Sequence, residues 1–349
     1  MHKFTCAKCD SRIFFDNQAC LACGSPVGFA ASDLSMVTLA PADANGADGA
    51  PLYRRFDDGR ATSLRYCANA AHGVCNWLTV ADDGNGLCPA CDLNRMIPNL
   101  AEPGSVDKWG EFERAKKRLI YGLMRFGLPT DTGAPNGRLM FDFARDVVTG
   151  HLDGVITIDM AEADAVERTK QRERLAEPYR SLLGHLRHES GHFYWDMLVK
   201  GGGRIAEFRN VFGDESQSYQ DALNRHYANG APPDWAQRFV SAYASMHPWE
   251  DWAETWAHYL HIVETLDTAE TEGMEPRAAG FTLGSVWSFK KYDIYREESF
   301  ASLIERWLPL VIALNGLSRS MGHEDFYPFV IPGPAYDKLE FIHNLIRSR

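Results

Sequence analysis

Beyond residue 91 the chain contains no cysteine, although it has eight in all and runs to 349 residues. Disulfides are disfavoured in a reducing compartment, so this confinement needs a local explanation. No secretory leader is visible either, and none is expected. The N-terminus reads Met1-His2-Lys3-Phe4-Thr5-Cys6, with no apolar stretch of the kind that signal peptides need. No apolar run approaches the ~20 residues that cross a bilayer. Together these absences lead to the expectation of a soluble, cytoplasmic chain with no membrane partner. Basic charge is in deficit as well: 36 Lys and Arg face 47 Asp and Glu, a net charge of −11. A general nucleic-acid binder would show a basic face, so nucleic acid is not an expected partner. No internal repeat is visible beyond two cysteine quartets.

What is present is ordinary globular material. Hydrophobic residues make up 45% and charged residues 24%, which allows a core large enough for a buried site. Single cores stop growing at roughly 250–300 residues, so two domains are expected. Composition changes near residue 100, between Pro98 and Pro103. The division predicted is 1–100 and 101–349. Within the first part, Ser32 to Pro51 is rich in Ala, Asp, Gly and Pro and reads as a flexible link or long loop.

Periodicity predicts a helix over Glu111–Phe126, with Lys116, Lys117 and Arg118 on one side and Leu119, Ile120, Leu123 and Met124 available for a core. Arg138–Phe143 and Gly154–Asp159 read as extended segments, the second β-branched and bounded by glycine. Glu177–Val199, with Pro178 near its first turn, and Pro248–Thr265 read as helices. The fold class predicted is α+β: a small β-rich module ahead of a mostly helical domain.

The cysteines form Cys6-x-x-Cys9 with Cys20-x-x-Cys23, and Cys67 and Cys75 with Cys88-x-x-Cys91. A Cys-x-x-Cys turn aims two thiolates at one point, and two such knuckles complete a tetrahedral site suited to zinc. Gly24 sits just past a knuckle, where a left-handed turn is needed. Two structural zincs are therefore expected, with iron as the competing metal. Metal binding would supply the folding energy of modules that lack a core.

The central motif is His188-Glu189-Ser190-Gly191-His192. Residues four apart share a helix face, so His188 and His192 can grip one metal. Glu189 is offset toward a water that zinc would acidify, and is the expected general base. Leu182, Leu183, Leu186, Phe193 and Trp195 flank the motif and imply a buried helix, in which His-Glu-His is costly without a partner. A catalytic zinc has three protein ligands plus water. Glu250 and Glu254 are again four apart, and we assign Glu250 to the metal and Glu254 to holding a histidine from behind. Glu215, 23 residues after His192, is a rival third ligand, and His258 and His261 are further candidates near the metal.

Glu250-x-x-x-Glu254 resembles the acidic pair on the glutamate helix of gluzincin peptidases. Tyr243, seven residues before Glu250, is spaced as in the catalytic domain of anthrax lethal factor. That resemblance implies a tyrosine that helps stabilise the oxyanion. The whole chain resembles a bacterial zinc-binding metallopeptidase family with an N-terminal zinc ribbon and a zincin-like catalytic domain. The matching stretches are Cys75-Asn-Trp77, Gly154–Asp159, Glu177-Pro-Tyr-Arg180, the HExxH helix, Phe212-Gly-Asp-Glu215 and His247–His261.

These readings lead to an expected zinc metallopeptidase acting on peptide or isopeptide bonds, with one catalytic and two structural zincs. A zinc amidase for a non-peptide substrate and a zinc-stabilised interaction protein are the alternatives. A peptide or protein substrate is the expected partner, and the ribbons offer a further protein contact. Val155–Asp159 is the candidate strand edge for substrate backbone, with Glu162 and Asp164 beside it to attract a basic group. Gly201-Gly202-Gly203 reads as a mobile lip or a helix-ending loop.

Overall fold

Each Cys-x-x-Cys knuckle is a tight reversal, and short strands form where the chain leaves it. The computed structural model describes residues 2–46, 49–57, 63–81, 84–164, 181–274 and 293–348. Strands β1 (Phe4–Thr5) and β2 (Arg12–Ile13) pair across the first knuckle. A five-stranded antiparallel sheet follows, in the order β3 (Val27–Ala30), β4 (Ser35–Asn45), β5 (Pro51–Arg55), β6 (Leu64–Tyr66) and β7 (Leu78–Val80). A bridge between Phe29 and Trp77 brings its two ends together.

The expected loop over Ser32–Pro51 is overturned by β4, an eleven-residue strand paired on both sides. Met36, Val37, Thr38 and Leu39 in its first half are buried, and Val37 and Leu39 join Ala30, Leu64 and Leu78 in one core. Part of the composition that suggested a loop, Ala40 to Ala44 with Pro41 and Asp43, lies inside the strand's second half, where the pairing with β5 shifts register between Pro41 and Asn45; the rest flanks it. Leu34 takes a positive φ before the strand, and Gly46 and Gly49 form the reversal to β5.

Helix α1 (Ser105–Arg125) packs its Tyr121 ring against Phe15 and Phe29, at 5.4 and 5.7 Å. Lys116 and Lys117 are buried rather than solvated. Lys117 donates to Val74 O and Asn76 Oδ1, both at 3.2 Å, which removes the cost of burying its charge without partners. A four-stranded mixed sheet then forms in the order β10 (Gly150–Leu152), β11 (Val155–Asp159), β9 (Met140–Ala144) and β8 (Asn94–Met96). Strand β8 follows directly on Cys91 and pairs in parallel with β9. Strand β11 is paired on both sides, antiparallel to β10 and parallel to β9. It has no free edge, so it cannot take substrate backbone by strand addition as expected.

All of these elements lie in one compact unit, Met1–Pro129 with Leu139–Asp164; the other is Thr130–Arg138 with Ala165–Arg349. The second unit is helical. It contains α2 (Leu182–Tyr194), extended by a π-helical turn over Trp195–Lys200, then α3 (Ile205–Phe212), α4 (Tyr219–Asn229), α5 (Pro248–Thr271), α6 (Phe300–Ser320) and α7 (Gly333–Arg347). Ser181 caps α2 by accepting from Gly184 N, a side-chain bond typical of helix starts. The segment Glu177–Arg180 lies outside the described residues. The three glycines after the π turn end the helix, with Gly203 at φ +70° and Arg204 N bonded to Val199 O.

One expectation is corrected by α6. Its 21 residues are long and apolar enough, by length and composition, to match a membrane span. Its buried residues Phe300, Leu303, Trp307 and Leu310 nevertheless recur at helical spacing, the stripe of a helix packed on one side.

Candidate metal centres

The first quartet is built on two left-handed turns. Gly24 takes φ +71°, as the sequence suggested, and Asp10 takes φ 57° in the corresponding place after Cys9. Aspartate tolerates this region because its short side chain bonds locally. The four Sγ atoms lie within 4.8 Å of one another. Cys6–Cys23 and Cys9–Cys20 are each 3.7 Å apart. A tetrahedron with zinc–sulfur bonds of ~2.3 Å has edges of about 3.8 Å, so the spacing fits zinc.

The second quartet, Cys67, Cys75, Cys88 and Cys91, is fully buried and equally tight, with Cys75 and Cys88 at 3.7 Å. Backbone N–H groups of Cys88 and Cys91 point at Cys67 Sγ and Cys88 Sγ, at 3.3 and 3.4 Å, as thiolate ligands require. The seven-residue spacing between Cys67 and Cys75 is taken up by a 3₁₀ turn, Ala68–His72, closed by Gly73 at φ +73°. Asn76 ties this ribbon to the first by donating to Phe15 O at 2.7 Å.

The third group is in the helical unit. Helices α2 and α5 approach closely because Gly191 faces Ala253: a Cβ there would lie 2.9 Å from the Ala253 Cα. Trp252 Nε1 donates to Gly191 O at 2.7 Å, and Trp256 Nε1 to Ser190 Oγ at 3.2 Å. Pro248 begins α5 and His247 caps it by accepting from Trp249 N. This places Glu250 and Glu254 on the face toward α2.

His188, His192 and Glu250, all buried, bring one ligand atom each within 4.8 Å. His188 Nε2 is 3.0 Å from Glu250 Oε2, and His192 Nε2 is 3.6 Å from Glu250 Oε1. A tetrahedral site with bonds of ~2.0 Å has edges of about 3.3 Å; the 3.0 Å between His188 Nε2 and Glu250 Oε2 is close to such an edge, and the three ligand atoms lie within 4.8 Å of one another. Behind His188, Nδ1 is 2.7 Å from Glu254 Oε1, and Ser241 Oγ donates to Glu254 Oε2 at 2.6 Å. With Nδ1–H engaged there, Nε2 is the nitrogen left for a cation. The donor set thus fits a catalytic zinc.

Burial opposes charge on His188, but hydrogen bonds to Glu250 and Glu254 outweigh it and hold its pKa well above the ordinary value. Glu189 is likewise buried, which raises its pKa. The His185 hydrogen bond and the nearby histidines prevail and bring it down to about 2, so it is a carboxylate. Its oxygen lies 3.2 Å from His185 Nε2.

The remaining candidates are placed as follows. Tyr243 begins a 3₁₀ turn, with its ring centroid 6.0 Å from that of His188. Glu215 is not in the donor group; it is held by Arg209 at 2.7 and 2.9 Å. His258 bonds Tyr327 at 2.6 Å, and His261 lies 3.5 Å from Arg187, so both serve packing on α5. Glu162 is buried and accepts from Thr149 at 2.6 Å, so it is no solvent-facing lure for a basic substrate; Asp164 is exposed in the same unit. Sequence reasoning missed Tyr219, whose hydroxyl donates to Glu250 Oε1 at 2.9 Å, and also Ser241 and His185. His185 had a usable signal, standing four residues before Glu189 on the same helix.

A ligand group of this kind on two packed helices, in a chain that also carries two cysteine quartets, defines a zinc-binding protein with ribbon modules. The chain belongs to the family described as "putative zinc-binding metallo-peptidase", whose model matches residues 105–345, and residues 3–102 match a zinc-ribbon domain. Uncharacterised proteins of Mycobacterium tuberculosis and Mycobacterium bovis are 39% identical over 353 residues, covering 99% of this chain and 95% of each relative. No solved structure matches the chain.

Proposed function

We propose that this chain is a zinc-dependent metallopeptidase of gluzincin type that hydrolyses peptide or isopeptide bonds. The observation that carries the reading is the conjunction of His188, His192 and Glu250 with Glu254 behind His188 and Glu189 next to His188 on the same helix. A structural metal site needs no spare carboxylate beside it. Zinc bound there would supply Lewis acidity. Glu189 is charged and can take a proton from the attacking water, then return it to the leaving amine as the C–N bond breaks. Glu254 and Ser241 hold the His188 ring in one orientation. We assign Tyr243 as the O–H donor for the developing oxyanion, supported by its ring lying 6.0 Å from that of His188. Exposed Phe14 and Leu21 at the first ribbon support a contact there with a protein partner.

The test is hydrolysis of a broad peptide library by the zinc-loaded protein, compared with Glu189→Gln. The variant should keep its zinc and lose on the order of 10²–10⁴ in rate. Absence of any cleavage with metal bound would put the non-enzymatic interaction protein first.

A further inference from the structure

Glu250 has two oxygens, and they have different neighbours. Oε2 faces His188 Nε2 at 3.0 Å, whereas Oε1 is 3.6 Å from His192 Nε2 and accepts the Tyr219 hydroxyl at 2.9 Å. Tyr219 is the first residue of α4, just after Ser218, which caps the helix by accepting from Asp221 N. A single histidine fixes this segment against the start of α5. His247 Nδ1 accepts from Trp249 N at 3.1 Å, so its proton is on Nε2, which donates to Gln217 O at 3.2 Å. The Tyr219 ring packs edge-on against His247, with centroids 5.4 Å apart. The residues flanking Glu250 in sequence therefore hold the tyrosine that bonds it.

We infer that Tyr219 is a positioning residue for the metal ligand Glu250: by engaging Oε1 it leaves Oε2 as the stronger donor to a cation shared with His188 and His192. An oxygen that already accepts a hydrogen bond has less electron density to give a cation. Glu250 then ligates through one oxygen, and a position stays open for water or substrate. The inference rests on reading these three side chains as a metal site. It adds that the coordination mode is set by a residue on a different helix.

The experiment uses the full chain with its cysteine sites filled by zinc and cobalt(II) added to the remaining site. Loss of a hydrogen bond to a ligand costs metal affinity 10–100-fold, so Tyr219→Phe should weaken cobalt binding by about that factor. It should also alter the visible cobalt band, as both Glu250 oxygens become equivalent donors. In a Glu250→Ala background, which has no carboxylate for the phenol to engage, Tyr219→Phe should have no further effect on the cobalt affinity that His188 and His192 retain. Native-like affinity and spectrum in Tyr219→Phe would overturn the inference while leaving the metal site intact, as would additive losses in the double variant. Failure of the native chain to bind cobalt would overturn both readings. Should Tyr219→Phe not fold, 3-fluorotyrosine placed at 219 reports directly: its fluorine resonance must move on metal addition, and an unmoved resonance sinks the inference.

Discussion

His188 carries a hydrogen bond at each ring nitrogen, and that has a consequence for pH. Its pKa in the folded, metal-free chain is raised well above the ordinary value because, despite burial, Glu250 and Glu254 both bond it. A raised histidine contributes stability that is complete below the unfolded value of ~6.5 and is lost as pH rises through the folded one. The metal-free protein should therefore lose stability toward alkaline pH. Zinc bound at Nε2 would take the place of the proton there, so uptake at pH 7 should release a proton and flatten that dependence. Calorimetric titration in buffers of different ionisation enthalpy measures the release, and a buffer-independent heat would refute it. His188, His192, Glu250 and Glu254 were readable because ligation imposes a fixed spacing of four on a helix. Tyr219 was not, because it reaches Glu250 from another helix, and no local pattern encodes a contact across 31 residues.

At the scale of elements, the seam between α2 and α5 governs the site. An added methyl at Gly191 would press on the Ala253 backbone, which cannot rotate away as a side chain can. Gly191→Ala should destabilise the protein by about 1–3 kcal/mol through overpacking. It should also weaken metal binding, since it separates His188 and His192 from Glu250. Urea unfolding and a zinc competition assay read the two effects, and an unchanged midpoint would show that the helices have slack. The strongly periodic helices α1 and α5 were legible from their apolar spacing. Strand β4 was not, because Pro41 and Asp43 in its second half and the turn residues flanking it masked the buried run Met36–Leu39. The burial of Lys116 was equally hidden: its partners Glu113 at 2.7 Å and Asn94 come from the turn before it and from β8, and residue type alone suggests solvent.

For the whole molecule, the three donor groups set an expected stoichiometry of three zincs per chain, falling to two in His188→Ala/His192→Ala with the fold retained. Elemental analysis decides it, and two zincs in both proteins would remove the catalytic site. The cysteine quartets were legible in full, since ligand spacing is written locally. The pairing of β8 with β9 was not, because the parallel pair joins Asn94 to Phe141 and Met96 to Asp142, far apart in sequence. That pairing predicts how the chain can be cut. A fragment ending at residue 100 strands β8 beside no partner and should aggregate, whereas one ending at residue 164 should be soluble and hold two zincs. A folded, soluble 1–100 fragment would show that β9 is dispensable. The same backbone ladder bears on descent. Modules that meet only through side chains can be traded between genes at a linker. A ribbon whose last turn is already a strand of the next sheet cannot be, and any exchange that moved it would have to carry the chain through residue 164.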